Sequence, residues 1–597
     1  MFFVDTLEFE GLGNRSYLAG GPGDAVVVDP PRDIDQVIAA AARRGVRIAY
    51  VAETHLHNDY VSGGLELARV TGARYLVPAA ASVAFARTPV VDGDTVTVDR
   101  GLVLRALATP GHTPHHTSYV LEEDGHGVAA FTGGSLLIGT VGRPDLVEPR
   151  LTEQLARAQH ASAHRLAEEL DDEVPVLPTH GFGSFCSGSQ AEGSTSTIGR
   201  ERRTNEALTC DVDTFVADLL AGLDDVPAYY AHMGPANAAG PAPVDLTPPR
   251  PADAGQIAQR LAAGEWVVDL RNRVAFAQGH VAGSLNFEGE GKPATYLAWL
   301  IPWGKPVTLL ADTPERIAAA QRELVRVGID RPVAAATGSP RDWVPGGVGL
   351  RSFPRATFAD LAARRGRGED VLVLDVRRDS ERAGGFIEGS VHIPVHELPG
   401  RIGEVPAGEV WVHCAGGMRA AIAASFLDAT GRAVVAVDDA FDTAAEAGLT
   451  LTWSGTDCPS ASPARAAPAA PPLRSDEPMF FRSRVSRRLV PVQAHRRSAL
   501  GEAVLLDVRE TAEWEAGHAP DALHLPLSRL VAGEALPPIA QGRPVVAVCR
   551  SGRRSRQAVE ILTGRGVKAT DVAGGMVAWA RDGLPVAGPD GDDGVIA

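Results

Sequence analysis

A short apolar run ending in Asp-x-Arg occurs three times, as Trp266-Val267-Val268-Asp269-Leu270-Arg271, as Val371-Leu372-Val373-Leu374-Asp375-Val376-Arg377 and as Val504-Leu505-Leu506-Asp507-Val508-Arg509. Each is followed by a glycine-containing turn: Gly279-His280-Val281-Ala282-Gly283, Gly389-Ser390-Val391-His392 and Glu515-Ala516-Gly517-His518-Ala519-Pro520. Repetition at the scale of a small domain means tandem domains, because solenoid units are far shorter. Apolar strands alternating with helical segments predict small parallel α/β sheets, with any reactive loop at the carboxyl end of a strand.

The third copy carries the clearest chemistry. The strand Pro544-Val545-Val546-Ala547-Val548 leads into Cys549-Arg550-Ser551-Gly552-Arg553-Arg554-Ser555 and then the helical stretch Gln557-Ala558-Val559-Glu560-Ile561-Leu562. A cysteine in such a loop faces converging backbone N–H groups and the positive end of the helix dipole, and both favour its thiolate. Arg554 adds a fixed positive charge. Cys549 is therefore the leading nucleophile, cradled by Arg550, Ser551, Gly552, Arg553 and Ser555. It lies 42 residues beyond Asp507, and the same offset from Asp269 reaches Ala311, so the first copy has no nucleophile and is expected to be a scaffold. The second copy keeps Cys414 and Arg419 in His413-Cys414-Ala415-Gly416-Gly417-Met418-Arg419-Ala420. An arginine-rich loop suits small anionic reactants, and a neutral loop suits a protein or thiol.

With Val572-Ala573-Gly574-Gly575-Met576, these segments resemble the rhodanese family. The resemblance implies that a cysteine takes sulfane sulfur from a donor, carries it as a persulfide and passes it to an acceptor, without a cofactor. A cysteine-phosphatase loop has one more residue between its cysteine and arginine than the four found here.

The front of the chain differs. Thr54-His55-Leu56-His57-Asn58-Asp59-Tyr60 follows a strand, and Thr109-Pro110-Gly111-His112-Thr113-Pro114-His115-His116, Phe131-Thr132-Gly133-Gly134-Ser135-Leu136 and Pro178-Thr179-His180-Gly181 follow in order. Histidines two apart at a strand end, with others on distant loops, form a metal-ligand pattern suited to zinc or iron. The four segments resemble the metallo-β-lactamase superfamily, in the branch of glyoxalase II and the persulfide dioxygenases. The resemblance implies an αββα sandwich with His55, His57 and His112 on one side of a metal site and Asp59 with His180 on the other. Tyr60 stands where the family usually has a histidine, and Gly134 where it has a ligating aspartate. A two-metal hydrolase of the glyoxalase type is not expected. One iron or zinc ion is, with His57, Asp59, His115 or His116 as candidates for the missing ligand. Cys186, six residues after His180, is read first as a buried packing cysteine and second as a sulfur acceptor.

At 597 residues the chain suits about four domains. The expected order is a metallo-β-lactamase-like domain at 1–240, an inactive rhodanese-like repeat at 250–350, a repeat with Cys414 at 354–457, a Pro/Ala-rich tether at 458–478 and the Cys549 repeat at 479–590. Pro235 to Pro243 reads as the linker closing the first domain, and Pro589 to Asp593 as a polar tail. A net charge of −17 without a basic stripe excludes nucleic acid as an expected partner. No apolar run approaches the roughly 20 residues needed to cross a bilayer. Five dispersed cysteines, and acids close behind Met1, lead to a cytoplasmic expectation. The expected function is a sulfurtransferase working through Cys549, and through Cys414, with persulfide, thiosulfate, sulfite and thiols as small-molecule partners. The front domain would add persulfide dioxygenation, as in fusions of the two families. A metal-dependent hydrolase and a non-catalytic persulfide carrier or sensor are the alternatives. A homo-oligomer is compatible with the sequence.

Overall fold

The computed structural model describes residues 2–9, 11–181, 184–188, 195–289, 293–344, 346, 349–453, 489, 491–499, 503–520, 522–531, 534–550, 553–572, 575–581 and 584–588. The expected tether at 458–478, with Cys458, and the tail from Pro589 lie outside the described residues, as do Ser551 and Gly552. Two compact units result, Met1–Pro463 and Ala464–Ala597.

Alternation of side chains builds the front sandwich. One sheet runs Phe3–Phe9, Asn14–Gly20, Asp24–Val28, Arg47–Ala52, Arg74–Pro78, Thr88–Val90. The other runs Ser196–Thr197, Pro175–Pro178, His126–Gly133, Thr117–Glu123, Leu102–Ala108, Thr95–Asp99. Tyr17, Ala19, Val26 and Val28 point between the sheets and meet Leu104, Tyr119, Leu121 and Phe131. Their neighbours Leu18, Ala25 and Val27 point outward, onto the helices Asp35–Arg44 and Gly64–Thr71. Val120 and Ala130 of the second sheet likewise pack on Thr152–Glu169 and Val212–Ala221. Period-two strands buried on both faces give the four layers that the family resemblance implied.

The three repeats form parallel sheets. Their central strands are Trp266–Asp269 beside Val307–Ala311, Leu372–Asp375 beside Val410–His413, and Val504–Asp507 beside Val545–Val548. The Asp-x-Arg motif has one cause in all three. The buried aspartate accepts the backbone N–H of the arginine two residues on, at 3.0 Å each time, and the guanidinium of the same arginine. That guanidinium then donates to the carbonyl of Gly279, Gly385 or Gly517, eight residues further on. The glycine serving the second copy is thus Gly385, not the Gly389 marked in the sequence.

Within the first unit, one apolar core joins the front domain to the first two repeats through the fully buried helix Pro293–Leu300. Polar contacts fix the same junction: Asp33 holds Arg326 at 2.6 and 2.7 Å, and His280 bonds Asp428 at 3.0 Å. Asp33→Asn removes a charge from a pair with almost no exposure to water, and is expected to cost about 1.5–3 kcal/mol; calorimetry on the full chain reads it, and an unchanged transition rules it out.

The expected linker from Pro235 is part of a helix, Tyr230–Ala239, whose Met233 and Asn237 are buried. Asn237 donates to the carbonyls of His57 and Tyr60 at 2.8 Å each. Its composition is that of a linker, but its side chains clamp the histidine loop. Among the described residues no helix is long and apolar enough to cross a membrane.

Candidate functional site

Loops at the strand ends of the sandwich bring His55, His57, Asp59, His112 and His180 together, all buried. Their grouping departs from the one expected. His180 joins His55 and His112, with one ligand atom from each lying within 4.8 Å of the others; it also groups with His57 and Asp59. Neighbours settle the tautomers. Thr54 Oγ1 donates to Asp29 at 2.7 Å, so at 2.8 Å it accepts from His55 Nδ1. His112 Nδ1 donates to the Arg143 carbonyl at 2.8 Å. Asn14 uses its amide N–H on Asp59 at 2.7 Å, leaving its oxygen to accept from His180 Nδ1 at 3.3 Å. The Nε2 atoms of all three histidines are buried without a partner, as are His57 Nδ1 and Asp59 Oδ1. Unpaired buried nitrogens are costly, and a metal ion removes that cost, so the residues present fit one.

His57 sits differently. Its Nε2 faces Glu53 at 3.1 Å and Asp29 at 3.3 Å. Burial alone would lower its pKa; the two carboxylates overcome that and carry it up to about 10. His112 is pushed down to about 3 by burial and by the neighbouring histidines. His115 and His116 do not replace the missing carboxylate. His116 accepts the Gly134 N–H at 2.9 Å and pairs its other nitrogen with Thr109, while His115 is only half-buried. Gly134 itself is tightly framed: a Cβ there would lie 2.2 Å from His112 Cδ2, so the His112 ring takes the room that a side chain at position 134 would need.

Both cysteine loops join a strand to a helix. Cys414 lies between Val410–His413 and Met418–Ala429, and its Sγ accepts the N–H groups of Gly416 at 3.5 Å and Gly417 at 3.1 Å. Cys549 lies between Val545–Val548 and Arg553–Gly564, and its thiol donates to Ser555 Oγ at 3.5 Å. Strand register supports the reading of Ala311: it follows the partner of Asp269 as Cys414 follows that of Asp375 and Cys549 that of Asp507. Gly575 explains the glycine motif of the third copy, since a Cβ there would lie 2.1 Å from the Cys549 carbonyl.

Each arginine is tied to a glutamate the sequence reading missed. Arg419 holds Glu381 at 2.5 and 2.7 Å, and Arg554 holds Glu513 at 2.6 Å twice. Burial would raise the Glu381 pKa, but Arg419 overrides it and brings it down to about 2. The charge expected beside each thiol is therefore an ion pair. The signal was in the sequence: glutamate stands six residues after Asp375 and Asp507, whereas Ala275 stands there in the copy without cysteine. Cys186 is fully buried against Tyr230 at 3.7 Å, and burial with Asp59 nearby pushes its thiol well up, as the packing reading has it.

Comparisons with known proteins match these domains. The metallo-beta-lactamase superfamily matches residues 10–180, and the rhodanese-like domain matches residues 253–345, 357–445 and 490–582. The human mitochondrial persulfide dioxygenase ETHE1 is 31% identical over 199 residues, which cover 32% of this chain and 70% of that protein. A sulfurtransferase of Allochromatium vinosum is 41% identical over 91 residues, 15% of this chain and 83% of that protein. A solved metallo-beta-lactamase from Staphylococcus aureus aligns with a TM-score of 0.51 and 26% identity, over 56% of this chain and 99% of that one. The chain is thus a member of the metallo-beta-lactamase superfamily in its front domain, continued by three rhodanese-like domains.

Proposed function

We propose that this enzyme of sulfur metabolism moves sulfane sulfur through persulfides on Cys414 and Cys549, and that its front domain acts on the same sulfur with a bound metal ion. The observation that carries the reading is the pair of backbone N–H groups aimed at Cys414 Sγ from a strand-to-helix loop. Such donors stabilise an anionic sulfur, and the terminal sulfur of a persulfide is anionic near neutral pH. The Cys549 loop repeats the strand, the helix and the Arg–Glu pair.

The steps balance without a cofactor. The cysteine thiolate attacks the outer sulfur of thiosulfate or of a thiol persulfide, forming the new S–S bond while sulfite or a thiolate leaves. An acceptor such as sulfite, cyanide or a thiol then attacks the outer sulfur and frees the cysteine. A metal ion in the front domain would supply redox or Lewis-acid chemistry that no side chain there provides. His55, His112 and His180 would hold it; Asn14, Thr54 and the Arg143 carbonyl fix their rings. Gly134 in place of a bridging carboxylate favours this reading over a two-metal hydrolase.

Incubating the full chain with thiosulfate, followed by mass spectrometry, should show one added sulfur atom on the peptides containing Cys414 and Cys549. Serine at each position should remove its own adduct. Unmodified peptides after turnover would overturn the persulfide route.

A further inference from the structure

We infer that His180 takes the place of the absent carboxylate, so that His55, His112 and His180 form a one-ion, all-imidazole site for a divalent first-row transition metal. Three independent features meet there. Each ring has its Nδ1 proton committed to an acceptor, Thr54 Oγ1, the Arg143 carbonyl or Asn14 Oδ1, which leaves Nε2 as a lone pair. A histidine ligand set of this kind depends on such outer acceptors to fix tautomer and ring orientation. All three Nε2 atoms are buried without a partner, and the ligand atoms of this trio lie within 4.8 Å of one another. The His112 ring, framed by Gly134 and Gly142, fills the position from which a carboxylate would reach the ion: a Cβ at either glycine would lie 2.6 Å or less from a ring atom.

The number of ions follows from His180. It belongs both to the trio and to the group with His57 and Asp59. Its Nδ1 is engaged by Asn14 and lies 3.4 Å from Asp59, so Nε2 is its one free lone pair, and that lone pair serves one ion. His57 is drawn the other way, its Nε2 held by Glu53 and Asp29. Asp59 then acts through His180, as the residue that orients it.

The ligand set also sets the charge. Three neutral imidazoles leave a divalent ion with both positive charges, where two imidazoles and a carboxylate leave one. Three protein ligands with open positions are the arrangement of a reactive site rather than a structural one. An anionic sulfur compound is the ligand class that such a site favours.

The test uses the full chain, stripped of metal by chelation and titrated with Co2+ alone, read by visible ligand-field absorption and by elemental analysis after dialysis. Wild type should bind one equivalent. His180→Gln, which can still hydrogen-bond to Asn14, should weaken binding by more than about 100-fold, beyond the range of outer-sphere losses. His57→Gln should keep one equivalent and the wild-type spectrum. Co2+ should raise the melting temperature of wild type and leave that of His180→Gln unchanged. Should His180→Gln fail to fold, Asn14→Ala decides: it should keep one equivalent with affinity reduced by about 10–100-fold. Two equivalents in wild type, wild-type affinity in His180→Gln or Asn14→Ala, or equal losses in His57→Gln and His180→Gln overturn the assignment. None of the three readouts requires sulfur transfer at Cys414 or Cys549, so failure here leaves the sulfurtransferase reading standing.

Discussion

Serine at both Cys414 and Cys549 is expected to lower sulfur transfer from thiosulfate to cyanide by at least about a thousandfold, because removing the nucleophile closes the covalent route. Either single variant should retain the share of the other loop. The two loops differ in ways that sort their acceptors. The Cys549 loop is followed by Ser555, which bonds the thiol and reaches Asp571 at 3.3 Å; the second copy has Ala420 there. The third copy has three arginines after its cysteine where the second has one. Net positive charge raises the local concentration of anions and their rate of encounter. The enzyme left with Cys549 alone should therefore saturate at lower sulfite than the enzyme left with Cys414 alone. Identical sulfite curves for Cys414→Ser and Cys549→Ser would sink this division. Undiminished turnover in the double variant would sink the persulfide route itself.

Local spacing carried most of this protein into view. Asp-x-Arg, the glycine eight residues on and the cysteine loop all lie in short segments whose geometry is set by neighbours in sequence. The repeats and their parallel sheets were legible for that reason, and Ala311 could be placed by counting. The layered front domain was legible only through resemblance, since its four motif segments, three of them with histidines, spread over the length of a domain. What sequence spacing could not supply was the grouping of ligands. His180 reaches His55 and His112 because Pro175–Pro178 pairs in parallel with His126–Gly133, a non-local contact. His57 is diverted by Asp29, which lies 28 residues earlier and on another strand end. Asn237 was hidden for a different reason. Proline and alanine around it read as a tether, and only burial against the histidine loop shows a helix with a clamp.

Asp375→Ala should destabilise the second repeat by about 3–5 kcal/mol, the cost of leaving a buried cation without its partner. Asp375 is fully buried and accepts from Arg377 at 2.7 Å and from Arg382 at 3.1 Å. Arg377 has little recourse to water; its guanidinium lies 3.6 Å from the centre of the Phe441 ring. Burial would raise the carboxyl's pKa, but His413 and Arg377 outweigh it and hold it down to about 2. Burial in turn pushes His413 down to about 4, so above that pH the histidine is neutral and the arginines carry the pairing. A depressed folded-state pKa adds stability above the unfolded value, and that stability is lost as pH falls through the folded one. For Asp375 the window runs from about pH 4 down to about pH 2, and the contribution is about 2 kcal/mol. The wild type should therefore lose about 2 kcal/mol of its advantage over Asp375→Ala across that acid range, and keep the whole of it at neutral pH. Calorimetry of both proteins between neutral pH and pH 2 reads the difference. A gap in melting temperature that stays constant into acid would mean that the aspartate holds the strand end by shape and backbone bonding alone, and that its charge adds nothing to the repeat.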